Sequence, residues 1–364
     1  MIKKMVFVIS ALRGGGAEKF VLNLYKAMEK YQDYECHIVS IEKAVEHDIT
    51  GYRVHFVSDF CNVSKKGLRR LSYKKNVAKS IDTYVTKEIS KDALVLSNML
   101  LADKIMSEST LRVHHVIHSS YHSAFLLGKG WLKTKQIKRK INATYRNHPL
   151  VFVSEASKCE YESSFESKFS NTVIYNPTEL AELKDLADEP VDVDSLGDYL
   201  VHIGRFNRAK RHDRLIDAFS KMTNTSVKLI LLGNGGLLEK AQQQVKALGL
   251  EDRVIFKGFL ANPSPYLKHS KGLVLTSDFE GLPTVLIEAI ALEKPILTTN
   301  CSGGIYEIVG GNQSVISTES DLPIHMEKML ANKQCYTVPF DNKFSAMCIA
   351  GAYHQLNIPK ISDL

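Results

Sequence analysis

Glu280 and Glu288 stand eight positions apart in the stretch SDFEGLPTVLIEAI, residues 277–290. The sequence around them is largely apolar, with a Gly-Leu-Pro break at 281–283. A carboxylate in such a setting is costly unless it is hydrogen-bonded or paired. A ribose diol would satisfy Glu288, and so would an internal salt bridge. Thr276-Ser277 end a strand pattern, Asp278 to Leu282 form a loop, and Pro283 suits the first position of the helix that follows. Glu280 is then a loop residue at the carboxyl end of a strand. Glu288 lies just over a turn into a helix that is apolar nearly all round.

Other stretches pair strand ends with groups that hold anions. Gly204-Arg205-Phe206-Asn207-Arg208-Ala209-Lys210 leaves one strand and approaches a helix. Arg205 and Lys210 suit a diphosphate, a guanidinium fork on phosphate oxygens and an ammonium as a point charge. Arg208, Arg211 and His212 compete with them for that role, and solvated surface charge is the plainer reading. Ser10 to Glu18, SALRGGGAE, follows the first strand and opens a helix. Its glycines, Gly15 and Gly16 among them, leave backbone N–H groups free for an anion, or make an ordinary strand–helix turn. Gly233-Asn234-Gly235 and Lys257-Gly258-Phe259 end two more strands, where backbone can approach a ligand and a ring can meet a base. The run RVHHVIH (112–118) carries His114, His115 and His118, with His122 close behind. Alternation along a strand puts His114 and His118 on one side.

The elements that must position these groups alternate throughout. Strand patterns MVFVIS, CHIVSI, RVHFVS, ALVLSN, RVHHVIH, LVFVSEA and TVIYNP fill the first half, and YLVHIGRF, VKLILLGNG, RVIFKGF, GLVLTSD and PILTTN the second. Between them, segments such as AEKFVLNLYKAMEK place apolar residues at helical spacing. Buried strands alternating with helices predict an α/β protein with parallel sheets covered on both faces. A length of 364 residues favours two domains. The pattern resets in the acidic, breaker-rich stretch that follows Asn176-Pro177. The expected division is an N-terminal Rossmann-like domain over 1–176, a linker over 177–198, a C-terminal Rossmann-like domain over 199–342 and a helical tail over 343–364 that can return to the N-terminal domain. Ligand is expected in the cleft between the doubly wound domains, at the carboxyl ends of the strands.

The six cysteines are scattered without metal-ligand spacing, which fits free thiols in a reducing cytoplasm. Asp192-Val193-Asp194, the one D-x-D, sits in the acidic linker and is a poor metal site. No apolar stretch approaches the length of a membrane span, and MIKKMVFVIS is too short for a signal peptide.

Charge divides unevenly. Residues 1–176 hold 28 Lys/Arg against 17 Asp/Glu, and residues 177–364 hold 19 against 23. The excess concentrates at 64–79 and 129–146, each with seven cations and no acid. Interleaved Leu, Tyr and Trp131 suit an anionic membrane surface or a phosphorylated acceptor. No nucleic-acid fold signature accompanies the charge.

The order GGGAEKF, HIGRF, GRFNRAK, LLGNG, FKGF, Glu280…Glu288 and CSGGIYEIV (301–309) resembles the retaining GT-B glycosyltransferases of family 4, over nearly the whole chain. Tyr306 stands where that family often has proline, which is expected to alter loop shape only. The resemblance implies a nucleotide-sugar donor, first among them a UDP-sugar, with no metal and no cofactor. It implies that Arg205 and Lys210 grip the diphosphate, Glu288 binds the ribose, and Glu280 contacts the donor sugar. Gly281, Leu282, Pro283 and Thr284 would lie near sugar and phosphates, Gly15 and Gly16 under the diphosphate, and His118 facing the sugar. A hexose or N-acetylhexosamine would pass to a lipid-linked, lipopolysaccharide or capsule glycan at the inner face of a bacterial membrane, the enzyme being cytoplasmic and peripheral. A soluble small acceptor is the second reading, and a sugar-binding protein without catalysis the third.

Overall fold

The computed structural model describes residues 2–63 and 69–356. The start of the basic stretch at 64–79 and the end of the C-terminal tail lie outside these. The chain divides into two compact units, one of residues 1–177 with 345–364 and one of residues 178–344.

The first unit holds β1 (Lys3–Ile9), β2 (Tyr34–Ser40), β3 (Val54–Phe56), β4 (Leu94–Asn98), β5 (Val113–Ile117), β6 (Leu150–Phe152) and β7 (Thr172–Val173). They form one parallel sheet in the order β3-β2-β1-β4-β5-β6-β7. Val6 to Ile9 and Leu94 to Leu96 are fully buried, as expected of central strands covered on both faces. Helix Gly16–Gln32 turns Phe20, Val21, Leu24, Tyr25 and Met28 inward, the apolar stripe its spacing predicts. The C-terminal helix Ala346–Leu356 packs against it: Tyr353 is buried with its ring centroid 6.2 Å from that of Phe20. Arg112 also donates to the Leu356 carbonyl at 2.7 Å.

The second unit holds β8 (Tyr199–Ile203), β9 (Lys228–Leu232), β10 (Val254–Gly258), β11 (Gly272–Leu275), β12 (Ile296–Thr299) and β13 (Ile316–Ser317). Its parallel sheet runs β10-β9-β8-β11-β12-β13. Residues 178–198, set apart above as a linker, belong to this unit. Leu180–Ala187 is a helix that buries Leu183 and Ala187, and Asn262 Nδ2 donates to the Leu186 carbonyl at 2.8 Å. Strand order reverses between β1 and β4 in the first sheet and between β8 and β11 in the second. Loops diverge at such switch points and leave a crevice at the strands' carboxyl ends.

Candidate functional site

In the second unit, the loops leaving β8 and β11 meet at the switch point. Lys210 Nζ lies 2.6 Å from Glu280 Oε1, with both side chains mostly buried. Ser277 Oγ donates to the same oxygen at 2.5 Å. Further bonds tie the two loops: Asp278 N donates to the Ala209 carbonyl at 2.8 Å, and the Thr276 Oγ1 hydroxyl to the Lys210 and Arg211 carbonyls at 3.1 Å each. One carboxylate oxygen therefore receives a cation and a hydroxyl in a partly desolvated setting, where such bonds gain strength.

The competing cations sort themselves by partner. Arg211 pairs with Asp213 at 3.0 Å and with Asp278 at 3.1 Å; these carboxylates hold its guanidinium above the usual arginine range. Arg214 is bound to Asp278 at 2.8 Å and to Glu319 at 3.0 Å. Arg205 and Arg208 are exposed. Lys210 is a cation of this cluster seen on Glu280, and Arg205 lies on the same loop with an exposed side chain.

His212 is buried and stacks on Phe206 with centroids 3.8 Å apart. His202 Nδ1 donates to the Val274 carbonyl at 2.7 Å, and its ring meets His212 edge-on at 4.5 Å. Burial pulls His202 down to about 4 and His212 to about 2. In the first unit it pulls His114 and His148 to about 4. Unfolded, each titrates near pH 6.5. Below that pH the unfolded chain takes up protons that the folded chain does not, so stability is full above about pH 6.5 and is lost as pH falls. Each of these histidines is expected to cost roughly 2 kcal/mol at pH 5. The urea midpoint should therefore fall steeply between pH 7 and 5; a flat profile would mean that these rings protonate within the fold.

The glycines serve backbone approach. Gly233 has φ +141° and an added Cβ would stand 2.1 Å from the Gly204 carbonyl oxygen; Gly235 has φ +155° and would meet the Phe206 carbonyl oxygen at 2.4 Å. These two glycines let the loop after β9 close on the loop after β8, a structural reason added to the ligand-facing one expected above. Asn234 accepts from Phe206 N at 2.9 Å through its backbone carbonyl. Gly258 N lies at the end of β10, and Gly233 N donates to the Gly258 carbonyl at 2.7 Å. Lys257 is exposed, its ammonium 5.7 Å from the Tyr266 ring centre, and Phe259 is exposed beside it.

Gly303 supports Glu280 from the β12 side. Its φ is +112°, and an added Cβ would lie 2.1 Å from the Glu280 carbonyl oxygen. Glu280 N donates to the Ser302 carbonyl at 2.9 Å and Gly304 N to the Gly281 carbonyl at 2.8 Å. Gly303→Ala is expected to displace the Glu280 loop and destabilise the protein by about 2 kcal/mol or more. An unchanged urea midpoint would refute that account. Burial and the neighbouring Glu280 carboxylate push the Cys301 thiol up to about 12, so it stays protonated.

Helix Thr284–Ala291 starts one residue later than expected, with Pro283 as its N-cap. Gly281, Leu282 and Pro283 are buried, Thr284 is half-buried, and Glu288 is buried among Leu286, Ile287, Ala289 and Ile290. Tyr306 is exposed on the short helix Ile305–Val309. Among the described residues no cluster of His, Cys, Asp or Glu is arranged to hold a metal ion; the Asp194 side chain lies outside them.

In the first unit Gly15 caps helix Gly16–Gln32, accepting from Lys19 N at 3.0 Å. His118 directly follows β5. Asn98 Nδ2 donates to the Leu96 carbonyl at 3.1 Å, which turns Asn98 Oδ1 toward His118 Nε2 at 3.0 Å. That contact places the ring proton on Nε2 and leaves Nδ1 as an acceptor. Phe20 meets the ring edge-on at 4.7 Å, and burial holds His118 near 3, hence neutral. His115 points elsewhere, into a buried network: its Nδ1 lies 3.0 Å from Asp103 Oδ1, which also accepts from Ser97 at 2.6 Å, while Tyr145 donates to Oδ2 at 2.8 Å. His122 Nδ1 lies 2.7 Å from Ser164 Oγ. Asn98 and Ser277 were not singled out in sequence as partners of His118 and Glu280. Both are small polar residues at the ends of apolar runs, a weak signal.

Residues 188–336 match the family model for glycosyl transferases group 1. An uncharacterized glycosyltransferase of Methanocaldococcus jannaschii is 31% identical over 203 residues, 54% of this chain and 48% of that protein. The chain thus spans about half the length of this relative. An N-acetylgalactosamine-N,N'-diacetylbacillosaminyl-diphospho-undecaprenol 4-alpha-N-acetylgalactosaminyltransferase of Campylobacter jejuni is 24% identical over 334 residues, 88% of this chain and 87% of that one. The crystal structure of Anabaena HepE in complex with UDP-glucose superposes with a TM-score of 0.74 at 18% identity, covering 99% of this chain and 100% of that one. The two parallel-sheet, Rossmann-like units are those of the GT-B fold.

Proposed function

We propose that the chain, whose residues 188–336 match the glycosyl transferases group 1 model and whose two units share the GT-B fold, moves a hexose or N-acetylhexosamine from a UDP-sugar to a lipid-linked or envelope glycan, with retention and without a metal. The observation that carries the reading is the Lys210–Glu280 pair, 2.6 Å apart where the loops of β8 and β11 meet. A nucleoside diphosphate is a good leaving group, so cations aimed at its phosphates replace a general acid. Lys210 and Arg205 supply those cations. The backbone at Gly281 to Thr284 lies beside the phosphates and sugar, and Glu288 takes the ribose diol.

Glu280 orients the donor sugar through its hydroxyls. With Oε1 already accepting from Lys210 and Ser277, the carboxylate is a weakened nucleophile, which favours attack from the leaving-group face over a covalent intermediate. His118, neutral and with Nδ1 accepting, is suited to receive a hydrogen bond from a sugar hydroxyl. The lipid-linked acceptor and UDP are supported by what the Campylobacter relative acts on and by what HepE holds.

The cations at 129–146 hold the protein to an anionic membrane surface, where such an acceptor resides. No helix among the described residues is long and apolar enough to cross a membrane, and the contact proposed is a peripheral one. The test is a calorimetric screen of UDP-, GDP- and ADP-sugars, followed by the anomeric configuration of the product in the presence of EDTA. UDP-sugar binding and a retained, EDTA-insensitive product are expected. An inverted product or loss of rate on chelation would refute the mechanism.

A further inference from the structure

Helix Trp131–Tyr145 faces its unit's core with Ile141, Thr144 and Tyr145, and Ile141 and Tyr145 pack there with Tyr121, Phe152 and Tyr161. Its first turn does the opposite. Trp131 is 73% exposed, Leu132 68% and Leu127, on the turn before the helix, 66%. At about 3.6 residues per turn, the nine positions between Leu132 and Ile141 put them on opposite sides of the helix. In the preceding turn Gly128 adopts φ +71° and Gly130 caps the helix. Three large apolar side chains within six positions therefore stand in solvent, flanked by Lys129, Lys133 and Lys135, with Lys138, Arg139 and Lys140 further along and no acid from 129 to 146. Lys135 Nζ lies 5.5 Å from the Trp131 ring centre.

We infer that Leu127, Trp131 and Leu132 insert into the acyl-chain boundary of an anionic bilayer while the surrounding lysines rest on its phosphates. The charge pattern selects the partner. A protein interface of this size would pair some of these cations with its own acids, whereas an anionic lipid surface meets an unbroken run of them, and long lysine stems reach outward while an indole and two leucines go deeper. The inference rests on the membrane reading above and adds to it which side chains enter the lipid and how deeply.

Trp131 is the only tryptophan in the chain, so its emission reports on this site alone. Full-length protein is mixed with phosphatidylcholine vesicles and with vesicles containing about 30% phosphatidylglycerol. With the anionic vesicles, a blue-shifted emission and quenching by lipids brominated in the acyl chain are expected. Leu127→Ser with Leu132→Ser should weaken partitioning by about tenfold or more, and Lys138, Arg139 and Lys140 changed to Gln should weaken it for anionic vesicles alone. UDP affinity should be unchanged in both variants. Wild-type protein that sediments with anionic vesicles while Trp131 stays unquenched overturns the insertion and leaves the surface contact standing. No sedimentation with either vesicle overturns the membrane reading as well. Self-association without lipid that the Leu variant abolishes would assign the patch to a second copy of the chain and also overturn the proposal.

Discussion

Lys210→Ala is expected to lower kcat by about a thousandfold, roughly 4 kcal/mol of transition-state stabilisation, with a smaller change in KM. On the proposed reading the ammonium meets charge that develops on the leaving diphosphate, so its removal is expected to act more on the transition state than on the bound donor. The substitution also strips Glu280 of its cation and leaves Ser277 as the donor seen on Oε1, so some loss of stability should accompany it. The two effects separate in a double variant. Adding Glu280→Gln removes the stranded charge and should restore the urea midpoint. If Lys210 acts on phosphate, the double variant turns over far more slowly than Glu280→Gln alone. Equal turnover in those two variants would reduce Lys210 to a counter-ion for Glu280 and overturn its assignment. The cycle is informative because the two groups touch, and contacting residues are where additivity fails.

What the sequence made legible, and what it did not, follows from the range of the interactions. The central strands are largely apolar runs because both faces are buried, so β1, β4, β8 and β11 read directly, and with them the strand ends that carry Lys210 and Glu280. β13 does not, since Ile316–Ser317 is two residues long and pairs with β12 alone, too short for any period to show. Helix Leu180–Ala187 hides in an acidic stretch because only Leu183 and Ala187 face inward, one i, i+4 pair against a background that reads as linker. Gly233 was legible as a close-approach position but not by what approaches it, and Gly303 only as part of the motif CSGGIYEIV. Gly233 meets the backbone of Gly204, and Gly303 meets that of Glu280, pairings of remote segments that no local pattern encodes. Among the histidines, alternation grouped His114 with His118 and stopped there. The distinction comes from Asn98, which orients His118 at the end of β5, while His114 is buried within the strand.

Glu288→Gln is expected to weaken UDP binding by about ten- to a hundredfold, the worth of charge-assisted hydrogen bonds exchanged for neutral ones. Glutamine keeps the volume and one carbonyl oxygen but removes a charge from an apolar helix, where a charge costs free energy unless a partner offsets it. If the ribose diol is what the carboxylate serves, the urea midpoint should hold or rise. The ribose assignment is tested on the ligand side. Against wild-type protein, 2'-deoxy-UDP and 3'-deoxy-UDP should each bind more weakly than UDP; against Glu288→Gln that difference should shrink, since on the ribose assignment the hydroxyl and the carboxylate are two ends of one interaction. A ligand–residue cycle of this kind reports their coupling directly. An internal salt bridge predicts the reverse pattern: a lower midpoint from the stranded cation, with UDP and its deoxy analogues discriminated as before. The carboxylate buried in TVLIEAI is thereby separated from a structural charge by two measurements that move in opposite directions.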